Sequence, residues 1–229
     1  MLSADDIALL RTNYWVTIDT GTSDGALLAI ATQLGTPVPS RRGHPTIGLL
    51  RPRLPQSESI QSFSMTYGLG SFPLHTDSAQ WPLPARYVIL RDIGDNHDRG
   101  TTMTNRQTFL SYFPNDTHRR ALWKVSGVYG AFICSILNWV QRSQFIRFDP
   151  LCMRPANEAA AEAMAALKEK KIPSCVVNWT RGKTLILDNW NAVHGRDAAH
   201  GDDRHSRLLQ RVLVFDSTLL PLFPNVLAT

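Results

Sequence analysis

Residues 175–196 read Cys-Val-Val-Asn-Trp-Thr-Arg-Gly-Lys-Thr-Leu-Ile-Leu-Asp-Asn-Trp-Asn-Ala-Val-His-Gly-Arg. Two β-branched, apolar runs, Cys175–Trp179 and Lys183–Leu187, flank Thr180-Arg181-Gly182, which has the composition of a hairpin turn. His194 follows, at the end of a strand after that hairpin. Immediately upstream, Glu158–Lys171 (EAAAEAMAALKEKK) is the clearest helix, with acids at its start, lysines at its end and Pro173 to stop it. Arg86–Leu90 is a buried strand bounded by Pro84 and Gly94, and Ala131–Leu137, Phe145–Phe148 and Leu208–Phe215 read as further strands. His118–Lys124 reads as a helical turn or two. Near the N-terminus, a strand over Tyr14–Ile18 precedes a helix over Gly25–Leu34, capped by Ser23 or Asp24 and ended by Gly35. Residues 36–85 are loops rich in Pro, Gly and Ser around one strand, Ile47–Leu50. Short strands with turn signals, and no βα alternation, predict a mainly β fold with helical decoration, a sandwich or jelly roll. Nothing divides the chain, so residues 1–229 form one domain.

Composition narrows the function. The 229 residues are 43% hydrophobic and 19% charged, ordinary for a globular domain. No apolar run reaches the ~20 residues of a membrane span, and Asp5 and Asp6 stand where a secretory signal would be basic. The net charge of +5 comes mostly from scattered arginines, with neither a basic stripe nor a recognised module for nucleic acid. Cys134, Cys152 and Cys175 are odd in number and form no CxxC, which argues against disulfides and structural zinc and for a reduced, cytoplasmic compartment.

Three constellations carry chemistry. In extended chain the side chains of His75 and Asp77 in His75-Thr76-Asp77 point the same way, as two neighbouring metal ligands would. HxD is a cheap pattern, and a second copy, His200-Gly201-Asp202, lies in a charged stretch that reads as solvated loop. The first copy gains weight from His194, 119 residues on: two imidazoles and one carboxylate form a face that leaves coordination positions open on Fe(II). On the last strand Arg207, Leu209, Arg211 and Leu213 share one face, so either that face is solvated or the guanidinium groups receive anions. The two arginine Cα atoms, about 13 Å apart, cannot clamp one carboxylate head-on. Gly100-Thr101-Thr102 offers hydroxyls and by itself is a turn.

Taken in order, His75-Thr-Asp77, Pro82, Pro84, the strand Arg86–Leu90, Gly100-x-Thr102, Asp188-Asn-x-x-x-x-His194-Gly-Arg196 and Arg207-x-Leu209-x-Arg211 resemble the TauD/TfdA family of Fe(II)/2-oxoglutarate dioxygenases. The likeness is greatest to its clavaminate synthase-like and amino-acid β-hydroxylase members. It spans about Phe72–Phe215, including Phe145–Pro150 and the helix beyond. The resemblance implies a double-stranded β-helix (jelly roll) with His75, Asp77 and His194 as iron ligands. It implies that Arg207, helped by Thr102, grips the distal carboxylate of 2-oxoglutarate, for which a forked guanidinium suits better than Lys. Arg211 would lie nearer the iron, on the cosubstrate or on an acidic group of the substrate. Arg204-His205-Ser206 fits the Arg-x-Ser of a related branch, but the ligand spacing and the Arg-x-Leu-x-Arg strand belong together and favour Arg207.

The expected activity is therefore oxidation of a C–H bond by O2, with Fe(II) and 2-oxoglutarate, in a small amino-acid-like or anionic substrate. Because Asp77 is intact, hydroxylation or another oxidation is expected rather than halogenation. Ser64–Ser71 (SMTYGLGS), with Ser71, is the candidate substrate wall. The alternative is a jelly roll that binds metal or ligand without catalysis; a zinc hydrolase lacks a general-base carboxylate beside the ligands. At 229 residues the chain is short for the family.

Overall fold

The computed structural model describes residues 1–51, 66–68, 70–94, 100–197 and 208–223. In chain order the elements are α1 (Ala4–Asn13), β1 (Trp15–Asp19), α2 (Asp24–Leu34), β2 (Thr36–Val38), β3 (Gly48–Leu50), β4 (Phe72–His75), β5 (Tyr87–Asp92), β6 (Thr101–Asn105) and α3 (Arg106–Ser111). A 3-10 turn (Pro114–Arg119), β7 (Trp123–Gly127), β8 (Gly130–Cys134), β9 (Leu137–Val140), β10 (Ser143–Ile146), β11 (Met153–Pro155) and α4 (Glu158–Glu169) follow. The chain then returns through β12 (Cys175–Val177), β13 (Lys183–Asp188), β14 (Ala192–Arg196) and β15 (Leu209–Phe215).

Two antiparallel sheets face each other. The larger has the order β1-β13-β5-β15-β2, with β3 beside the other end of β15; the smaller has the order β12-β6-β14-β4. Between them lies a core of Trp81, Leu83, Leu90, Met103, Trp179, Leu185, Leu187, Ala192, Leu209 and Leu213. On the outer face of the larger sheet, Leu27, Ile30 and Ala31 of α2 pack against Ile89, Ile186, Val212 and Val214. Outside the smaller sheet, β7–β11 and α4 enclose Phe109, Trp123, Phe148 and Val193. Both faces of β15 are thus covered, which is why its sequence is nearly all apolar.

The predicted hairpin over residues 175–187 does not form. β12 pairs with β6 in the smaller sheet, whereas β13 pairs along its length with β1 and β5 in the larger one. Thr180–Gly182 still turns, with the Lys183 N–H donating to the Thr180 carbonyl at 2.9 Å, but it carries the chain from one sheet to the other. The cause is Trp179, 1% exposed, whose indole enters the inter-sheet core and pulls the chain across. Helical turns predicted at His118–Lys124 lie earlier, and Trp123 and Lys124 already belong to β7. α1, absent from the sequence reading, rests on a capping box: Ser3 Oγ accepts from the Asp6 N–H and the Asp6 carboxylate accepts from the Ser3 N–H. Only Leu10 of that helix is buried, so it shows little apolar periodicity.

Candidate metal centre

β4 and β14 pair so that His75 lies directly opposite His194, and both imidazoles point between the sheets. Their ring centroids are 4.5 Å apart. Asp77, just past the end of β4, brings Oδ1 to 3.6 Å from His75 Nε2. One ligand atom from each of His75, Asp77 and His194 lies within 4.8 Å of the others, and all three residues are buried. The Nδ1 of His75 contacts the Pro73 carbonyl at 3.0 Å; donating there, it leaves the Nε2 lone pair facing the cluster.

Arg211 completes the cluster from the opposite sheet. Its neighbours on that face, Leu209 and Leu213, lie in the inter-sheet core, and its Nη1 is 3.3 Å from both Asp77 carboxylate oxygens. Burial alone would raise the Asp77 pKa, but Arg211, with His75 and His194, holds it well below the usual carboxylate range. Burial works against a charged His75, yet Asp77, then Asp149 and the Pro73 carbonyl, outweigh it and raise its pKa. A third acid, Asp149, 6% exposed, is near enough to His75 and Asp77 to interact with their charges. Burial raises its carboxyl first, against the pull of His75 and the Leu151 N–H. Tyr67 is coupled to the same carboxylate, its hydroxyl pushed up by burial and then by Asp149.

The expected hydroxyl is on the wrong face. Thr102 pairs with Gly195, while His194 pairs with Met103 and Arg196 with Thr101. Directly opposed residues share a face, so Thr102 points away from the His-Asp-His cluster. Consistently, a Cβ on Gly195 would meet Thr102 Oγ1 at 2.9 Å. The hydroxyl on the His194 side is that of Thr101, 1% exposed, whose Oγ1 accepts from Trp179 Nε1 at 3.2 Å. Strand alternation gives one threonine to each face, and the sequence did not reveal which.

Arg207, Arg204, Ser206 and the second HxD pair, His200 and Asp202, lie outside the described residues, as do Ser64, Met65 and Leu69 of the proposed wall. Ser71 is exposed at the start of β4. Beside it, Arg196 lies 3.6 Å above the Phe72 ring centroid, and its Nη2 donates to the Gly68 and Gly70 carbonyls at 2.8 and 2.6 Å. The last residue of the His194-Gly-Arg196 string thus ties the preceding segment against the end of β4.

Two facing antiparallel sheets with an inward-facing His-Asp-His cluster define a class of architecture, the jelly roll. Solved structures of that fold superpose on nearly the whole chain. An asparagine oxygenase, in complex with Fe(II), 2S,3S-3-hydroxyasparagine and succinate, matches with a TM-score of 0.72 and 19% identity over 92% of this chain and 78% of that one. The non-haem iron oxygenase OrfP, in complex with Fe, succinate and (3S)-hydroxy-L-Arg, gives 0.68 and 20% over 95% and 80%. PvcB from Pseudomonas aeruginosa gives 0.63 and 17% over 91% and 78%. No protein-family model matches the sequence, and no curated protein is significantly similar to it. Among the described residues, no helix is long and apolar enough to cross a membrane.

Proposed function

We propose that this chain is an Fe(II)/2-oxoglutarate-dependent oxygenase of the TauD/TfdA type, acting on an amino acid or a similar small carboxylate. One observation carries the reading: two imidazoles and one carboxylate, from sites 119 residues apart, converge inside a jelly roll. The donor set, N, N and O without thiolate, suits ferrous iron and leaves part of its coordination sphere open. Iron held there would let O2 take two electrons from 2-oxoglutarate, giving succinate and CO2, and two from a substrate C–H bond, with one oxygen atom going to each product.

The chain's own residues prepare that chemistry. Arg211 keeps Asp77 ionised, so the carboxylate needs to release no proton before it ligates. The Pro73 carbonyl orients His75, and Met103 and Ala192, on the face of His194, shield it from water. Thr101 is the hydroxyl on the face of His194, and Arg207, expected beside Thr102, is the cation for a cosubstrate carboxylate. The asparagine oxygenase and OrfP, whose complexes contain hydroxylated amino acids, support this substrate class. Three free cysteines suit the cytoplasm.

The test is succinate release from 2-oxoglutarate under air with Fe(II), across a panel of free amino acids. Stimulation by one of them, abolished in Asp77→Ala, is the expected result. Equal turnover in Asp77→Ala would remove the triad from the mechanism.

A further inference from the structure

Asp77 stands where regular pairing ends. Thr76 still pairs with Phe148: its N–H donates to the Phe148 carbonyl at 2.7 Å, and its Oγ1 accepts from the Phe148 N–H at 3.2 Å. Ser78 then takes a left-handed conformation with φ 56°, unfavourable for a residue bearing a Cβ, and the chain leaves the sheet. Among the described residues, no strand runs alongside Asp77 between these two to pair with its peptide groups.

The side chain of Asn189, fully buried, takes the place of that strand. Its Oδ1 accepts from the Asp77 N–H at 3.0 Å, and its Nδ2 donates to the Asp77 carbonyl at 3.1 Å and to the Ala85 carbonyl at 2.8 Å. A carboxamide carries the same donor and acceptor as a peptide unit, so it can satisfy both sides of one residue at once. Aspartate would keep the acceptor and lose both donors; alanine would lose all three bonds. Asn189 is itself held, its N–H donating to the Arg86 carbonyl at 2.8 Å. Next to it, Trp190 Nε1 donates to the Pro84 carbonyl at 3.0 Å. Ser78 Oγ donates to the Asp77 carbonyl at 2.6 Å and accepts from the Ala85 N–H at 2.9 Å, closing the loop upon itself. Asn189 lies in the connection between β13 and β14, five residues before His194.

We propose that Asn189 is a positioning residue for the carboxylate ligand. It fixes the Asp77 peptide so that the carboxylate faces His75, His194 and Arg211, and it ties that carboxylate to the turn that delivers His194. Asn189 touches neither metal nor substrate; it acts through Asp77. The inference rests on the reading of the triad as a metal site.

The experiment is an equilibrium titration with Co(II), read from its visible d–d bands, in the wild type and in Asn189→Asp, Asn189→Ala, Asp77→Ala and Asn157→Ala. Asn157 is a control with three bonds on another element: it caps α4, accepting from the Ala160 and Leu122 N–H groups and donating to the Arg120 carbonyl. Loss of a group that orients a metal ligand costs about 10- to 100-fold in affinity. The folded Asn189 variants should weaken Co(II) binding by that factor and change the band shape. Asn157→Ala should lower the urea midpoint while keeping its Co(II) affinity. A folded Asn189→Asp that binds Co(II) as the wild type does overturns the inference, and an unfolded Asn189→Asp overturns it too, since the role is then structural. A wild type without Co(II) binding, or an Asp77→Ala that binds equally well, refutes the metal-site reading itself.

Discussion

Arg147→Met tests whether the loop behind Asp77 is held by one buried cation. Arg147 is 2% exposed, and its guanidinium donates from Nη1 to the Ala79 and Trp81 carbonyls and from Nη2 to the Pro82 carbonyl. It also lies over the Phe132 and Phe145 rings, 5.0 and 5.5 Å from their centroids. Burial brings its pKa down to about 10, so it stays charged at neutral pH. Methionine fills similar space but has no donor. The Pro82 carbonyl belongs to an exposed residue and can turn to water, whereas Ala79 and Trp81 are buried. Two buried carbonyls left without donors cost about 2 kcal/mol each, and relief from burying a cation returns part of that, for a net loss of about 3 kcal/mol. For a chain of this length that is about 6–12 °C in Tm. Urea denaturation with an unchanged m value would measure it, and Co(II) titration of the folded variant should show weaker binding, because residues 79–82 follow Asp77 directly. Arg147→Lys should recover less than half, since a point charge cannot serve three carbonyls or lie flat on two rings. A loss below about 1 kcal/mol in Arg147→Met, or full recovery by lysine, would refute the clamp.

Two further outcomes separate the two faces of the smaller sheet. Thr101→Val should raise the KM for 2-oxoglutarate several-fold, an effect of about 1 kcal/mol, and Thr102→Val should leave it near wild type; the reverse order in steady-state assays would return the role to Thr102. Gly195→Ala should destabilise by about 1–3 kcal/mol in urea denaturation and weaken Co(II) binding, because its Cβ would lie 2.6 Å from the Phe72 carbonyl oxygen and push β4, with His75, away from β14. Unchanged stability there would mean that the two strands have room to part.

Much of the centre was legible because its signals are local. HxD places two candidate ligands on one side of an extended chain by geometry alone, whereas His194, expected at the end of a strand, stands in the middle of β14. α2 and α4 were equally plain, since apolar spacing, a polar N-cap and a terminal Gly or Pro act within a few residues. Where reading failed, the deciding contact was distant. The turn at Thr180–Gly182 has hairpin chemistry, yet the burial of Trp179 in the inter-sheet core sends its two arms to different sheets. Thr101 and Thr102 are adjacent and chemically alike, so only the register of β6 against β14 assigns one to the face of His194. Asn189 and Arg147 fell within the motif strings, but nothing local showed what they hold, because their partners are carbonyls and N–H groups 65 to 112 residues away.

The sequence by itself determined the donor chemistry and the mainly β character, which follow from residue type and short-range periodicity. Tertiary structure alone decided that His75 meets His194 across a strand pair, that Arg211 reaches Asp77 from the opposing sheet, and that a carboxamide stands in for a missing strand. These are long-range pairings, set by which apolar surfaces are buried together, and short-range periodicity does not specify them.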